Sequence, residues 1–169
     1  MTLAEIPEGV AVFIDANVFV YHFVGASPQC TGLLARCESG ELRGSTSVLV
    51  LAEAAHRLMM IEAVERKLVS AGNVARKLAR RPELVKRLTV SEASIQAIAA
   101  MGIEIVPVTE ATLQLGLRHQ QRHGLLTNDS LVVATMLQHG PRLLATADRR
   151  LSIVHELDIA APTDLAPTS

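Results

Sequence analysis

A mainly parallel α/β sheet of about four to five strands, with helices on both faces, is the architecture expected of this 169-residue chain. Three features point to it. Short apolar runs such as VAVFI and RLLAT alternate with longer segments of helical periodicity from one end to the other. Those runs are continuous rather than alternating, as strands buried on both faces require. Three of the five aspartates, Asp15, Asp129 and Asp148, stand where an apolar run ends or a polar turn begins. Asp is disfavoured in strands and helix interiors. The carboxyl ends of parallel strands are where such sheets bind ligands.

The elements follow in order. Residues 10–15 form the first strand, running straight into Asp15. Asn17 opens a helix followed by Val18, Tyr21 and His22. Gly25 to Pro28 breaks it, and a second helix continues to about Cys37. ELRGSTS is a short strand ending in small polar residues, and Ser47 caps the next helix, which carries Glu53. Residues 56–90 make a charged helical projection broken at Gly72-Asn73 and Pro82. SEASIQAIAAMG is a helix capped by Ser91 and closed by Gly102. IEIVPV is a strand, and Thr109 opens the following helix. A loop from Gly124 to Asn128 precedes a helix from about Asp129 to His139. RLLAT is a strand broken by Asp148, and residues 152–162 hold a last short one. The chain reads as one domain over 1–162, with 163–169 as a flexible tail.

Hydrophobic residues make up 49 % of the chain, enough for a sizeable core and too many for disorder. No apolar stretch reaches the roughly 18 residues needed to span a bilayer, so no membrane association is expected. The segment MTLAEIPEGV lacks a basic flank and an apolar core, so secretion is not expected. Cys30 and Cys37 read as reduced thiols of a cytoplasmic protein rather than as a disulfide.

The net charge of −1 gives no sign of a nucleic-acid binder, but nine of the sixteen basic residues lie between Arg57 and Arg87 against three glutamates. That run is either a solvated helical face or a track for a polyanion. With only Tyr21 and three Phe, base stacking on aromatic residues is not expected.

Asp15, Glu53, Asp129 and Asp148 are the candidate site. A set of carboxylates at one sheet edge suits a hard divalent cation, and hence metal-dependent phosphate chemistry. Each residue also has a plain structural reading. Asp15 could cap a helix, Glu53 could be solvated, Asp129 could be favoured by a helix dipole, and Asp148 could be a turn residue. His119 and His123 have the spacing of a zinc pair, but Gln120 and Gln121 follow His119 where HExxH would place Glu, which argues against zinc there. Arg149 and Arg150 are either surface charge or phosphate contacts.

In these residues the chain resembles the PIN-domain ribonucleases, most of all the VapC-type toxins of toxin–antitoxin pairs. FIDANVFVYHF resembles the first family motif, STSVLVLAE the second, LLTNDSLVVATML the third and LLATADRRL the fourth. The likeness covers nearly the whole chain. It implies that Asp15, Glu53, Asp129 and Asp148 ligate Mg²⁺ or Mn²⁺, with Asn17 and Thr146 in support. It implies an endoribonuclease that uses a metal-activated water, leaving 5′-phosphate and 3′-hydroxyl ends. It also implies an antitoxin protein partner and a homodimer. Many members continue Arg-Asp-Phe after the fourth Asp, whereas this chain reads Arg149, Arg150, Leu151, so one further acid is missing.

Other activities compete with that one. A PIN-type RNA-processing nuclease needs no antitoxin. A PIN-like scaffold would bind RNA or protein without cutting. An aspartyl-phosphate phosphatase also places Asp after its first strand, but wants a second Asp where this chain has Asn17. In the toxin reading, residues 48–69 and 74–100, with Met59 and Met60, carry more apolar surface than a small sheet can cover and bind an antitoxin segment.

Overall fold

The computed structural model describes residues 1–165. Five strands, β1 (Ala11–Ile14), β2 (Arg43–Ser47), β3 (Glu104–Val106), β4 (Leu143–Ala145) and β5 (Asp158–Ala160), form one sheet in the order β3-β2-β1-β4-β5. Every pairing is parallel. The helices are α1 (Ala16–Phe23), α2 (Pro28–Glu38), α3 (Val48–Glu65), α4 (Val74–Ala79), α5 (Pro82–Val85), α6 (Val90–Ala100), α7 (Glu110–His123) and α8 (Thr127–His139).

β1 is the central strand. Val12, Phe13 and Ile14 are wholly buried, because helices cover both of its faces. Phe13, Phe19, Leu144 and Met136 are among the largest fully buried side chains, and each contributes about 1.5–3 kcal/mol of burial free energy. β2 is unusual in being buried while composed of RGSTS. Its hydroxyls are satisfied by the neighbouring strand: Thr46 Oγ1 donates to the Ile14 carbonyl at 2.9 Å and Ser45 Oγ to that of Val12 at 3.4 Å. Gly44 is required by close packing, since a Cβ there would stand 2.8 Å from Cys37 Sγ. Cys30 and Cys37 are free and buried, and burial pushes the Cys37 thiol up to about 11.

The sheet order places the switch point at β1. β2 and β3 extend to one side and β4 and β5 to the other, so the carboxyl ends of β1 and β4 open into one crevice. The Asp15 N–H bonds the Ala145 carbonyl at 3.1 Å and continues that ladder to the crevice itself.

Several boundaries differ from expectation. α1 begins at Ala16 with Asp15 as its cap, not at Asn17. α8 begins at Thr127, so Asp129 is its third residue rather than its opener. α6 begins at Val90 and is not capped by Ser91. Its first amides are capped instead by a distant side chain: the buried Glu62 carboxylate accepts the N–H groups of Thr89 and Val90, each at 3.0 Å, and pairs with Arg66 at 2.7 Å.

The helical projection also covers much of its own apolar surface. Ala63, Val69 and Leu78 form a second small core, against which Met59, Val64, Leu84, Val85 and Leu88 pack. Leu58 belongs to the main core. The surplus apolar face expected over 48–100 is therefore largely internal, with Met59 and Met60 half-buried.

At the other end, Asp164 accepts the Ser27 hydroxyl at 2.7 Å and the Gln29 N–H at 2.9 Å, and Thr163 pairs with the Gln29 amide. The chain is thus fastened two residues beyond the expected domain end, and residues 166–169 of the expected tail lie outside the described residues. No helix among the described residues is long and apolar enough to cross a membrane.

Candidate active site

Asp15 combines the two roles that its sequence position left open. It caps α1, accepting the Ala16 N–H at 2.7 Å through Oδ1. Its Oδ2 turns toward β4, where it accepts the Thr146 hydroxyl at 2.7 Å and the Asn17 side-chain amide. Thr146 Oγ1 in turn accepts Asn17 Nδ2 at 2.9 Å and the Asp148 N–H at 3.0 Å. Asn17 Oδ1 completes the network by accepting the Ala147 N–H at 2.8 Å. A hydroxyl has one proton and two lone pairs, and Thr146 uses all three in a fully buried position. The ends of β1 and β4 are thereby locked together through side chains, and Asp15 keeps one orientation.

The other three acids come from different elements. Glu53 lies in the second turn of α3, whose start is capped by Ser47. Asp129 lies in the first turn of α8, where the helix dipole favours a negative charge. Asp148 follows β4 and caps a short 3₁₀ turn, accepting the Arg150 N–H at 2.9 Å. All four are partly buried.

Their acidities report mutual influence. Burial raises Asp15, opposed by its hydrogen bonds from Thr146 and Ala16 and by Arg57, and the charge of Asp129 raises it further. Burial also raises Glu53, assisted by Asp15 and Asp129 and opposed by Arg57. Asp129 is raised by burial and by Asp148, against Arg150. Asp148 goes the other way, lowered first by its side-chain hydrogen bond from Arg150.

Arg150 is the cation of this edge. Its Nε donates to both carboxylate oxygens of Asp148 at 3.0 Å, and its Nη2 reaches Asp148 Oδ2 at 2.5 Å and Asp129 Oδ2 at 4.0 Å. Arg149 is exposed. Arg57, one turn after Glu53 on α3, was not foreseen as a site residue. It lines a hollow of about 280 Å³ with Asn17, Tyr21, Ala147 and Asp148. A second hollow of about 390 Å³ is lined by Glu53, Leu126, Thr127, Asn128, Asp129 and Arg150. Hollows of similar size occur elsewhere, at about 310 and 360 Å³, and bring one carboxylate each, as the Arg57 hollow does; it is the pairing of Glu53 with Asp129 in the 390 Å³ hollow, not size, that picks out this edge.

Oxygen donors of this kind suit Mg²⁺ or Mn²⁺. Among the described residues no three His, Cys, Asp or Glu side chains stand ready around one point, so a bound ion would have to draw the carboxylates together. His119 and His123 do not join this set. Their rings stack at 5.6 Å on α7, and His119 Nδ1 and His123 Nε2 are buried without a partner.

Residues 12–157 match the family model of the PIN domain. This chain belongs to the PIN domain family. No curated protein matches it. Among solved structures, this PIN domain is similar to VapBC2 from Rickettsia felis, bound to a DNA fragment from its promoter. That match has 12 % identity and a TM-score of 0.59, covering 90 % of this chain and 99 % of the other. A toxin–antitoxin complex from Klebsiella pneumoniae matches at 14 % identity and TM-score 0.57, covering 87 % and 95 %. VapC20 of Mycobacterium tuberculosis, a sarcin–ricin loop cleaving toxin, matches at 14 % and 0.55, covering 83 % and 92 %. At such identities the shared property is the fold.

Proposed function

We propose that this PIN domain is a divalent-metal-dependent endoribonuclease, and that it is the toxin of a toxin–antitoxin pair. The observation that carries the proposal is the network joining Asp15, Asn17, Thr146 and Asp148 across the switch point, with the charge of Asp129 raising Asp15 and those of Asp15 and Asp129 raising Glu53.

Asp15, Glu53, Asp129 and Asp148 would hold Mg²⁺ or Mn²⁺. When bound, such an ion polarises a phosphodiester and makes water a better nucleophile near neutral pH. The chain's own residues do the rest. Thr146 and Asn17 hold the Asp15 carboxylate in place without reorganisation. Arg57 offers positive charge beside the hollow bounded by Asn17 and Asp148. Attack by water on phosphorus breaks the bond to the 3′ oxygen, which leaves as a 3′-hydroxyl, and the phosphate stays on the 5′ end.

RNA as substrate is supported by the likeness to VapC20, and an antitoxin partner by the likeness to the Rickettsia and Klebsiella complexes. A homodimer and a cytoplasmic location accord with the same class.

The test is RNA cleavage by purified protein with Mg²⁺ or Mn²⁺, a chelator control, and end analysis. Full activity in excess chelator, or 2′,3′-cyclic phosphate ends, would refute the mechanism. Co-purification with the product of an adjacent gene tests the toxin assignment, and an isolated gene points to RNA processing instead. A non-cutting RNA-binding scaffold is the second reading, favoured by the hold of Arg150 on two of the acids. RNA binding without cleavage in Mn²⁺ would establish it.

A further inference from the structure

We infer that Arg150 is a built-in cation that occupies Asp148 and Asp129 until a divalent ion displaces it. The inference rests on the metal-site reading above and specifies how that site is loaded. Arg150 spans the two acids in a forked geometry, all three hydrogen bonds going to Asp148 and the remaining reach to Asp129. It also lines the same hollow as Glu53 and Asp129. Its side chain is 69 % exposed, so the pairing is made in water, where an ion pair is weak and exchanges readily. The fork thus engages Asp148, and stands near Asp129, without blocking a doubly charged competitor.

Position 150 thus sets a positive charge against both aspartates. A cation at that place relieves like-charge repulsion between Asp129 and Asp148 in the metal-free protein. Once expelled, the guanidinium stands at the rim of the crevice with its donors free for a phosphate of the substrate.

The test is Mn²⁺ binding by calorimetry on the full chain without RNA, comparing the parent with Arg150→Gln, Arg150→Lys and Asp129→Asn. Arg150→Gln should bind Mn²⁺ about three- to fivefold more tightly, the worth of one exposed ion pair. Arg150→Lys is the discriminating variant. It keeps the charge but loses the fork, so it too should bind more tightly than the parent. Affinity of Arg150→Lys equal to the parent's would mean that only charge matters and would overturn the displacement proposal, as would an unchanged Arg150→Gln. Asp129→Asn should bind more weakly. Failure of every protein to bind Mn²⁺ would remove the metal site itself, a result distinct from binding that Arg150 does not influence. A Mg²⁺ titration followed through the Arg150 Nε–H signal gives a second readout. A signal that does not move on saturation would also overturn the proposal.

Discussion

Replacing Thr146 by Val removes one oxygen and keeps the shape of the side chain, so its effect can be worked out from three contacts. The hydroxyl donates to Asp15 and accepts from the Asn17 amide and the Asp148 N–H, in a fully buried position. A hydrogen bond to a charged group contributes about 1.5–3 kcal/mol and a neutral one about 0.5–1.5, so losing one of the first kind and two of the second should cost about 2.5–6 kcal/mol. For a chain of this size each kcal/mol moves the melting temperature by about 2–4 °C, which gives a fall of roughly 5–24 °C. Thr146→Ser keeps all three bonds and loses one methyl group, at about 1 kcal/mol. Calorimetry in chelator measures both. The Val variant should also raise the Asp15 carboxyl further, since it deletes the largest of the influences lowering it, and so bind Mn²⁺ more weakly at neutral pH. If Thr146→Val melts within about 2 °C of Thr146→Ser, the hydroxyl is not the joint between β1 and β4 that the geometry describes.

Asp15→Asn, Asp129→Asn and Asp148→Asn should each cut RNA cleavage by about 100-fold or more, the scale of losing a group that acts at the reacting centre, and near-normal cleavage by Asp15→Asn would be decisive against a shared site. Glu53 is held above its ordinary value of 4.5 by burial and then by Asp15, so the folded state binds its proton more tightly than the unfolded chain does. Its ionisation therefore costs stability as pH rises above that value: the metal-free Glu53→Gln variant should melt higher than the parent near neutral pH, with the gap closing on acidification, and a pH-independent gap in calorimetry would contradict this. Arg57→Gln should weaken RNA binding and lower its salt slope by about one, read by titration at several ionic strengths.

Much of the fold was legible because buried parallel strands write themselves as apolar runs. VAVFI and RLLAT were found for that reason, and so were the acids that terminate or follow them. β2 was found less directly, through its flanks, since RGSTS is apolar nowhere and is buried only because its hydroxyls meet the β1 carbonyls. Asn17 and Thr146 were reached through the family resemblance, since the network that unites them spans 129 residues of sequence. Arg57 was visible as a basic residue but not as part of the site. Its only local signal was its place one turn after Glu53. The start of α6 was misplaced because its capping group is Glu62, far away in the chain, whereas Ser91 looked locally sufficient. The helical projection was expected to expose apolar surface because pattern alone does not reveal that a segment can close a second core upon itself.

That remote cap has a consequence for protein engineering. The 56–90 region looks like an insert that could be exchanged between PIN domains to alter what they bind. Yet Glu62, near the end of α3, supplies the acceptor for the first amides of α6 and is buried while doing so. A donor segment cut between α3 and α6 would leave that carboxylate facing unmatched amides, or leave the amides with none. Transplants should therefore carry the end of α3, the intervening helices and the first turn of α6 as one cassette, with seams at about residues 57 and 94, where the chain is already regular helix.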